Sequence, residues 1–109
     1  MILYGIPNCD SVKQALKLLR EAGVEVEFVD FRQNPIAPEK LSQWIDELGL
    51  EALVNKRSTT YRTLSDEQKA QIDHALILKN PTLIKRPVLE ADGQIMVGFN
   101  RTAYAALIA

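Results

Sequence analysis

Cys9 is the only cysteine in the chain, and the residues around it define what its sulfur can do. Ile2-Leu3-Tyr4-Gly5 is a short apolar run, Ile6-Pro7-Asn8 reads as a turn, and beyond Cys9 the pattern becomes helical. A side chain at a helix start faces backbone N–H groups that lack intrahelical partners, and it lies at the positive end of the helix dipole. Both favour thiolate over thiol, and the thiolate is the nucleophile. The carboxylate of Asp10 opposes this effect and the ammonium of Lys13, one turn on, supports it. With no second cysteine there is no intrachain disulfide and no internal resolving thiol. The competing reading of Cys9 is a small buried hydrophobe, the usual place of a free cysteine.

Two basic segments could serve an anion held at such a thiol. Arg86-Pro87 stands directly before the apolar pair Val88-Leu89. A proline at the first position of a strand is tolerated at a sheet edge, and an X–Pro bond is the one kind that readily becomes cis. Lys56-Arg57-Ser58-Thr59-Thr60-Tyr61-Arg62 is a polar stretch with three positive charges. Arg57 in it could fork onto a carboxylate or oxyanion, with Ser58 adding a hydroxyl. The competing reading of both segments is solvated surface. His74, the sole histidine, reads as mid-helix, and one His with one Cys is too few for a metal site. No glycine-rich phosphate loop is present.

The elements that must position these residues follow from periodicity. Residues 2–5 read as a strand. Asn8 reads as the cap of a helix carrying Val12, Ala15, Leu16 and Leu19 at helical spacing, with Cys9 in its first turn and Gly23 at its end. Val24, Val26 and Phe28 alternate with Glu25 and Glu27, a half-buried strand reaching Val29. Pro38 suits a first helical position, and Leu41, Trp44, Ile45 and Leu48 continue that helix to Gly49. A short helical piece is expected over 51–55, then the basic stretch as a loop. Ser65 and Gln68 form a capping-box pattern that opens one helix with Ile72 and Leu76 inward, broken at Asn80-Pro81. A helical turn fits 81–84. Val88-Leu89 begins a strand, Ala91-Asp92-Gly93-Gln94 is a tight hairpin turn, and Ile95 to Val97 returns. Asn100 caps a last helix with Ala103, Tyr104, Leu107 and Ile108. The order β-α-β, helices, β-β-α is that of a thioredoxin-like α/β fold with a helical insertion at about 38–84. The expectation is one domain over 1–109. In that fold the loop before the third strand lies beside the active cysteine, which brings Arg86 within reach of it.

Composition sets outer bounds. A chain of 109 residues with 47% hydrophobic and 25% charged residues is an ordinary globular domain that needs no disulfide or metal to fold. Its formal net charge of −1 argues against direct nucleic-acid binding. No apolar run is long enough for a membrane span, and the first residues lack the basic region of a secretory signal. The expected location is the reducing cytoplasm.

Four segments together resemble the ArsC/Spx family, the arsenate reductase-like proteins, and within it a YffB-like branch. They are Tyr4-Gly5-Ile6-Pro7-Asn8-Cys9-Asp10-Ser11-Val12-Lys13, Asn55-Lys56-Arg57-Ser58-Thr59-Thr60-Tyr61-Arg62, Lys85-Arg86-Pro87-Val88 and Val97-Gly98-Phe99-Asn100. The resemblance implies a glutathione-dependent thiol reductase. Cys9 would be the nucleophile, and Arg57 and Arg86 the guanidinium groups of the site. Asn8, Lys13, Arg57, Ser58, Arg86 and Pro87 would contact glutathione or a disulfide or oxyanion substrate. Glutathione enters as co-substrate, with no tightly bound cofactor and no metal. Three departures matter. Asn55 stands where arsenate reductases have an arginine, Gly98-Phe99 where they have another nearby, and Val12 where Spx regulators have the second cysteine of C-x-x-C. The resemblance also implies an alternative, an Spx-like regulator or adaptor binding RNA polymerase, or a glutathione-binding protein without turnover.

Overall fold

A computed structural model describes all 109 residues. The chain divides into two compact units, Met1–Phe31 with Arg86–Ala109, and Arg32–Lys85.

The first unit is built on a four-stranded sheet of β1 (Ile2–Gly5), β2 (Glu27–Asp30), β3 (Val88–Ala91) and β4 (Gln94–Val97), in the spatial order β2-β1-β3-β4. β1 and β2 are parallel and are joined through α1 (Asp10–Glu21). β3 pairs antiparallel with both β1 and β4. The turn between β3 and β4 takes the positive φ values of a tight hairpin, 49° at Asp92 and 78° at Gly93, as the Asp-Gly pair predicts. This is the mixed sheet of a thioredoxin-like fold.

Register puts Phe28, Leu3, Leu89 and Met96 in one row across all four strands. Side chains alternate along a strand, so this row and Ala91 share a face. On it pack Val12, Ala15 and Leu19 of α1 and Tyr104 of α7 (Arg101–Leu107). Leu3, Val12, Ala15, Leu19, Leu89 and Tyr104 are completely buried. The strand predicted over 24–29 is shorter and later, because Val24 and Val26 pack beside the cluster without entering the ladder.

The second unit holds the expected helices with different boundaries. α2 (Pro38–Leu48) begins at Pro38 and ends at Gly49, whose φ is 85°. α3 is Leu50–Leu53. The basic stretch, expected as a loop, contains α4 (Thr59–Thr63), started by the Ser58 cap. The single helix expected after Ser65 is two, α5 (Asp66–Ala70) and α6 (His74–Lys79). The capping box at Ser65 and Gln68 forms as read. Asp73 then opens a second helix by accepting a bond from the Leu76 N–H at 2.9 Å. That shift of phase buries Ile77 and leaves Ala75 exposed, and it places His74 exposed at the first position of α6 instead of mid-helix. A single 3-10 turn follows over Pro81–Leu83. The Asn55 N–H bonds to Leu83 O at 2.8 Å and the Lys85 N–H to Leu53 O at 2.7 Å, which ties the two ends of this run together. Trp44 is completely buried.

Candidate active site around Cys9

Cys9 is itself the N-cap of α1, in extended conformation with φ −100° and ψ 127°. Asn8, expected to cap, lies one residue too early. It belongs to a turn over Ile6-Pro7-Asn8-Cys9 in which the Cys9 N–H reaches back to Ile6 O at 3.4 Å. Pro7 and Asn8 are typical central residues of such a turn, so the helix starts one residue later than the cap ranking suggests. The first intrahelical bond runs from the Lys13 N–H to Cys9 O at 3.0 Å. The N–H groups of Asp10, Ser11 and Val12 therefore lie ahead of the helical ladder, and the Cys9 side chain makes no capping hydrogen bond to them. A sulfur at this position has donors in front of it that it does not consume.

Packing fixes where that sulfur is. Cys9 is half-buried and rests against the cluster of Leu3, Val12, Ala15, Leu19, Leu89, Ala91 and Tyr104. It is neither sealed in the core nor displayed on a loop. The approach of α1 to the sheet depends on Gly5, where an added Cβ would lie 2.6 Å from Val12 Cγ2. Val12 is itself a packing position, wholly buried.

The same end of the sheet receives two other junctions. β1 runs out toward Cys9, and β3, antiparallel to it, begins there. Tyr4 pairs with Val88, so one further step of the register sets Pro87 beside Gly5. The Arg86–Pro87 peptide bond is cis, Pro87 is buried, and Arg86 is half-buried with its Nε shut off from solvent. β4, parallel to β1 in direction, also leaves at this end, and the Gly98 N–H bonds to Pro87 O at 2.8 Å. Gly98 has φ 77°, a value that favours glycine. The chain then passes through Phe99 and Asn100 into α7, where Asn100 Oδ1 accepts from the Ala103 N–H at 2.9 Å. Phe99 meets the Tyr104 ring edge-on at 5.0 Å and 73°, and the Arg101 guanidinium lies over the Phe99 ring at 5.7 Å.

The fold thus brings Asn8, Cys9, Arg86 and Pro87 to one end of the sheet, with Lys13 exposed one turn along α1. Arg57 and Ser58 belong to the second unit. Arg57 is exposed there, and its backbone N–H bonds to Asn55 Oδ1 at 3.0 Å. The Ser58 hydroxyl donates to Asn55 O at 2.8 Å and accepts from the Tyr61 N–H at 3.1 Å. Ser58 is thereby a buried cap, with its hydroxyl engaged in starting α4. Asn55 organises this turn through its Oδ1 and its backbone carbonyl. Arg101 is not among the residues that the sequence singles out. The sequence carries a signal for it, since the Asn100 cap puts Arg101 at the first helical position, two residues after Phe99.

Comparison with known proteins places this geometry. The model of the ArsC family matches residues 4–107. The chain belongs to the ArsC family. A solved structure of a YFFB protein is 43% identical, with a TM-score of 0.92 over 99% of this chain and 98% of that one. A solved ArsC-related protein from Brucella melitensis is 36% identical, with a TM-score of 0.76 over 96% and 91%. A relative from Haemophilus influenzae with no described role is 41% identical over 98% of this chain and 97% of its own. More distant ArsC relatives carry functional names. One from Listeria innocua, 27% identical over 90% of this chain and 79% of its own, is named a global transcriptional regulator, Spx. One from Acidiphilium multivorum, 29% identical over 80% and 65%, is named an arsenate reductase. No helix is long and apolar enough to cross a membrane.

Proposed function

We propose that the chain is a thiol reductase of the arsenate reductase-like kind, in which Cys9 attacks the sulfur of a disulfide and glutathione resolves the adduct. In the first step the Cys9 thiolate forms an S–S bond to one sulfur of the substrate and expels the other as a thiolate. In the second, glutathione thiolate attacks the mixed disulfide, releasing oxidised glutathione and restoring the Cys9 thiolate. Two electrons pass from glutathione to the substrate, and the protein ends unchanged. Arg86 acts at the same end of the sheet by binding a substrate carboxylate or oxyanion.

The observation that carries this reading is the seating of Cys9 as a half-buried N-cap whose sulfur spends no bond on capping. A purely structural cysteine at that place would be exchangeable for serine with a gain in capping. The buried Val12 at the position of a second thiol favours an external resolving thiol over an internal switch.

Intact-mass measurement after exposure to oxidised glutathione tests the reading. The expected result is one glutathione per chain, none in Cys9→Ser, and rapid release by reduced glutathione, with slower turnover in Arg86→Ala. An unmodified Cys9, or an adduct that persists in excess glutathione, overturns it. The transcriptional regulators among the relatives favour a second reading, an adaptor for RNA polymerase. Stoichiometric binding to purified polymerase, independent of Cys9, would support that one instead.

A further inference from the structure

Resting on the reductase reading above, we infer that Arg101 and Phe99 form a recognition site for a carboxylate of the disulfide substrate, set across the sheet end from Cys9. The substrate class is then a short peptide disulfide whose carboxylate lies roughly 7–10 Å from the sulfur under attack, the reach of two to three extended residues.

β1 leads into Cys9 and β4 leads into Phe99 at the same end of the sheet, with β3 alone between them. Two strand spacings are about 10 Å. Cys9 and Phe99 also share a face, since both rest on the cluster that includes Leu3, Leu89 and Tyr104. A ligand disulfide-bonded to Cys9 and extended across the end of β3 arrives at the Phe99 loop.

A surface arginine ordinarily samples many rotamers, and fixing it costs side-chain entropy. Here the guanidinium is laid on a ring, the ring is held edge-on by Tyr104, and Tyr104 is completely buried. The loop beneath is pinned by the bond from the Gly98 N–H to Pro87 O. The contacts run from the core to an exposed cation, and a guanidinium offers the forked bonds that a carboxylate accepts. Arg101 is exposed and none of its neighbours in sequence, Phe99, Asn100, Thr102 or Ala103, is acidic.

Substrate choice tests the inference. The rate of Cys9 mixed-disulfide formation is measured with oxidised glutathione and with 2-hydroxyethyl disulfide, which has no carboxylate, and the ratio of the two rates is the readout. Arg101→Ala is expected to lower that ratio by roughly tenfold or more, the scale of one charge-assisted contact. Arg101→Lys should recover it only in part, and Phe99→Leu should lower it while retaining the charge. Equal ratios in wild type and Arg101→Ala overturn the inference, as does full recovery by lysine together with no effect of Phe99→Leu. Failure of Cys9 to react with either disulfide is a different result, since it removes the reductase reading itself.

Discussion

Replacing Gly5 by alanine tests the packing that sets the Cys9 helix in place. The strand residue Gly5 has no positive φ, so alanine meets no backbone strain there. Restriction of the unfolded chain would by itself stabilise the variant by about 0.4–1 kcal/mol. Against that stands a Cβ only 2.6 Å from Val12 Cγ2. Val12 is completely buried and, being β-branched in a helix, has essentially one χ1 rotamer. It cannot swing aside, so the helix start must shift, and overpacking of this kind costs about 1–3 kcal/mol. The expected net loss is up to about 2.6 kcal/mol, read as a lower urea midpoint at unchanged m-value. Cys9 lies one turn before Val12, so the rate of Cys9 alkylation should change as well. Val12→Ala deletes the clashing carbon and leaves Val12 Cβ at 3.7 Å from the new methyl, an ordinary contact. In that background Gly5→Ala should be neutral or stabilising, a coupling of at least about 1 kcal/mol in the double-mutant cycle. Strict additivity of the two substitutions would refute the argument.

Other outcomes follow from groups described above. Ser58→Ala removes a buried cap and should lower stability by about 0.5–2 kcal/mol, while Cys9 glutathionylation, scored under folded conditions, keeps its rate. A lost rate at full stability would instead make Ser58 a substrate ligand. Tyr104 OH is buried with no hydrogen-bond partner, so Tyr104→Phe should raise the thermal midpoint, since an unsatisfied buried hydroxyl costs about 1–3 kcal/mol. Tyr104 and Tyr4 both have phenol pKa values raised well above the usual 10.0. Burial is the first cause in each, reinforced at Tyr4 by its bond to Glu90 Oε1 at 2.8 Å. Above pH about 10 the unfolded chain therefore gives up protons that the folded one keeps. The stability these groups contribute is whole below that pH and falls as pH rises beyond it, and a denaturation series from pH 8 to 12 should be less steep in Tyr104→Phe.

Local chemistry made much of this structure legible. The Asp92-Gly93 hairpin, the Ser65–Gln68 capping box, Pro38 at the start of α2 and the Asn100 cap each rest on a few adjacent residues, and each stands where the sequence puts it. The order of strands and helices sufficed for the thioredoxin-like fold and for Arg86 at the Cys9 end of the sheet. What escaped was competition between equally local signals. Asn8 is a good cap and a good turn residue, and the turn claims it, which makes Cys9 the cap. Asp73 caps a second helix inside what periodicity reads as one. Ser58 starts a helix across residues whose weak helix propensity suggests a loop. Arg101 escaped for another reason. Its significance lies in a ring stacked beneath it and in the parallel exits of β1 and β4, which are properties of tertiary structure.

The division of the first unit between the two ends of the chain has a consequence for its birth on the ribosome. The Tyr4 hydroxyl and its Glu90 partner are 86 positions apart, so at translation rates of 5–20 residues per second the first strand waits on the order of ten seconds for the third. Throughout that interval the helix behind Cys9 carries Val12, Ala15 and Leu19 without the half of the sheet that covers them. A nascent chain arrested before Arg86 holds a thiol with no completed scaffold around it.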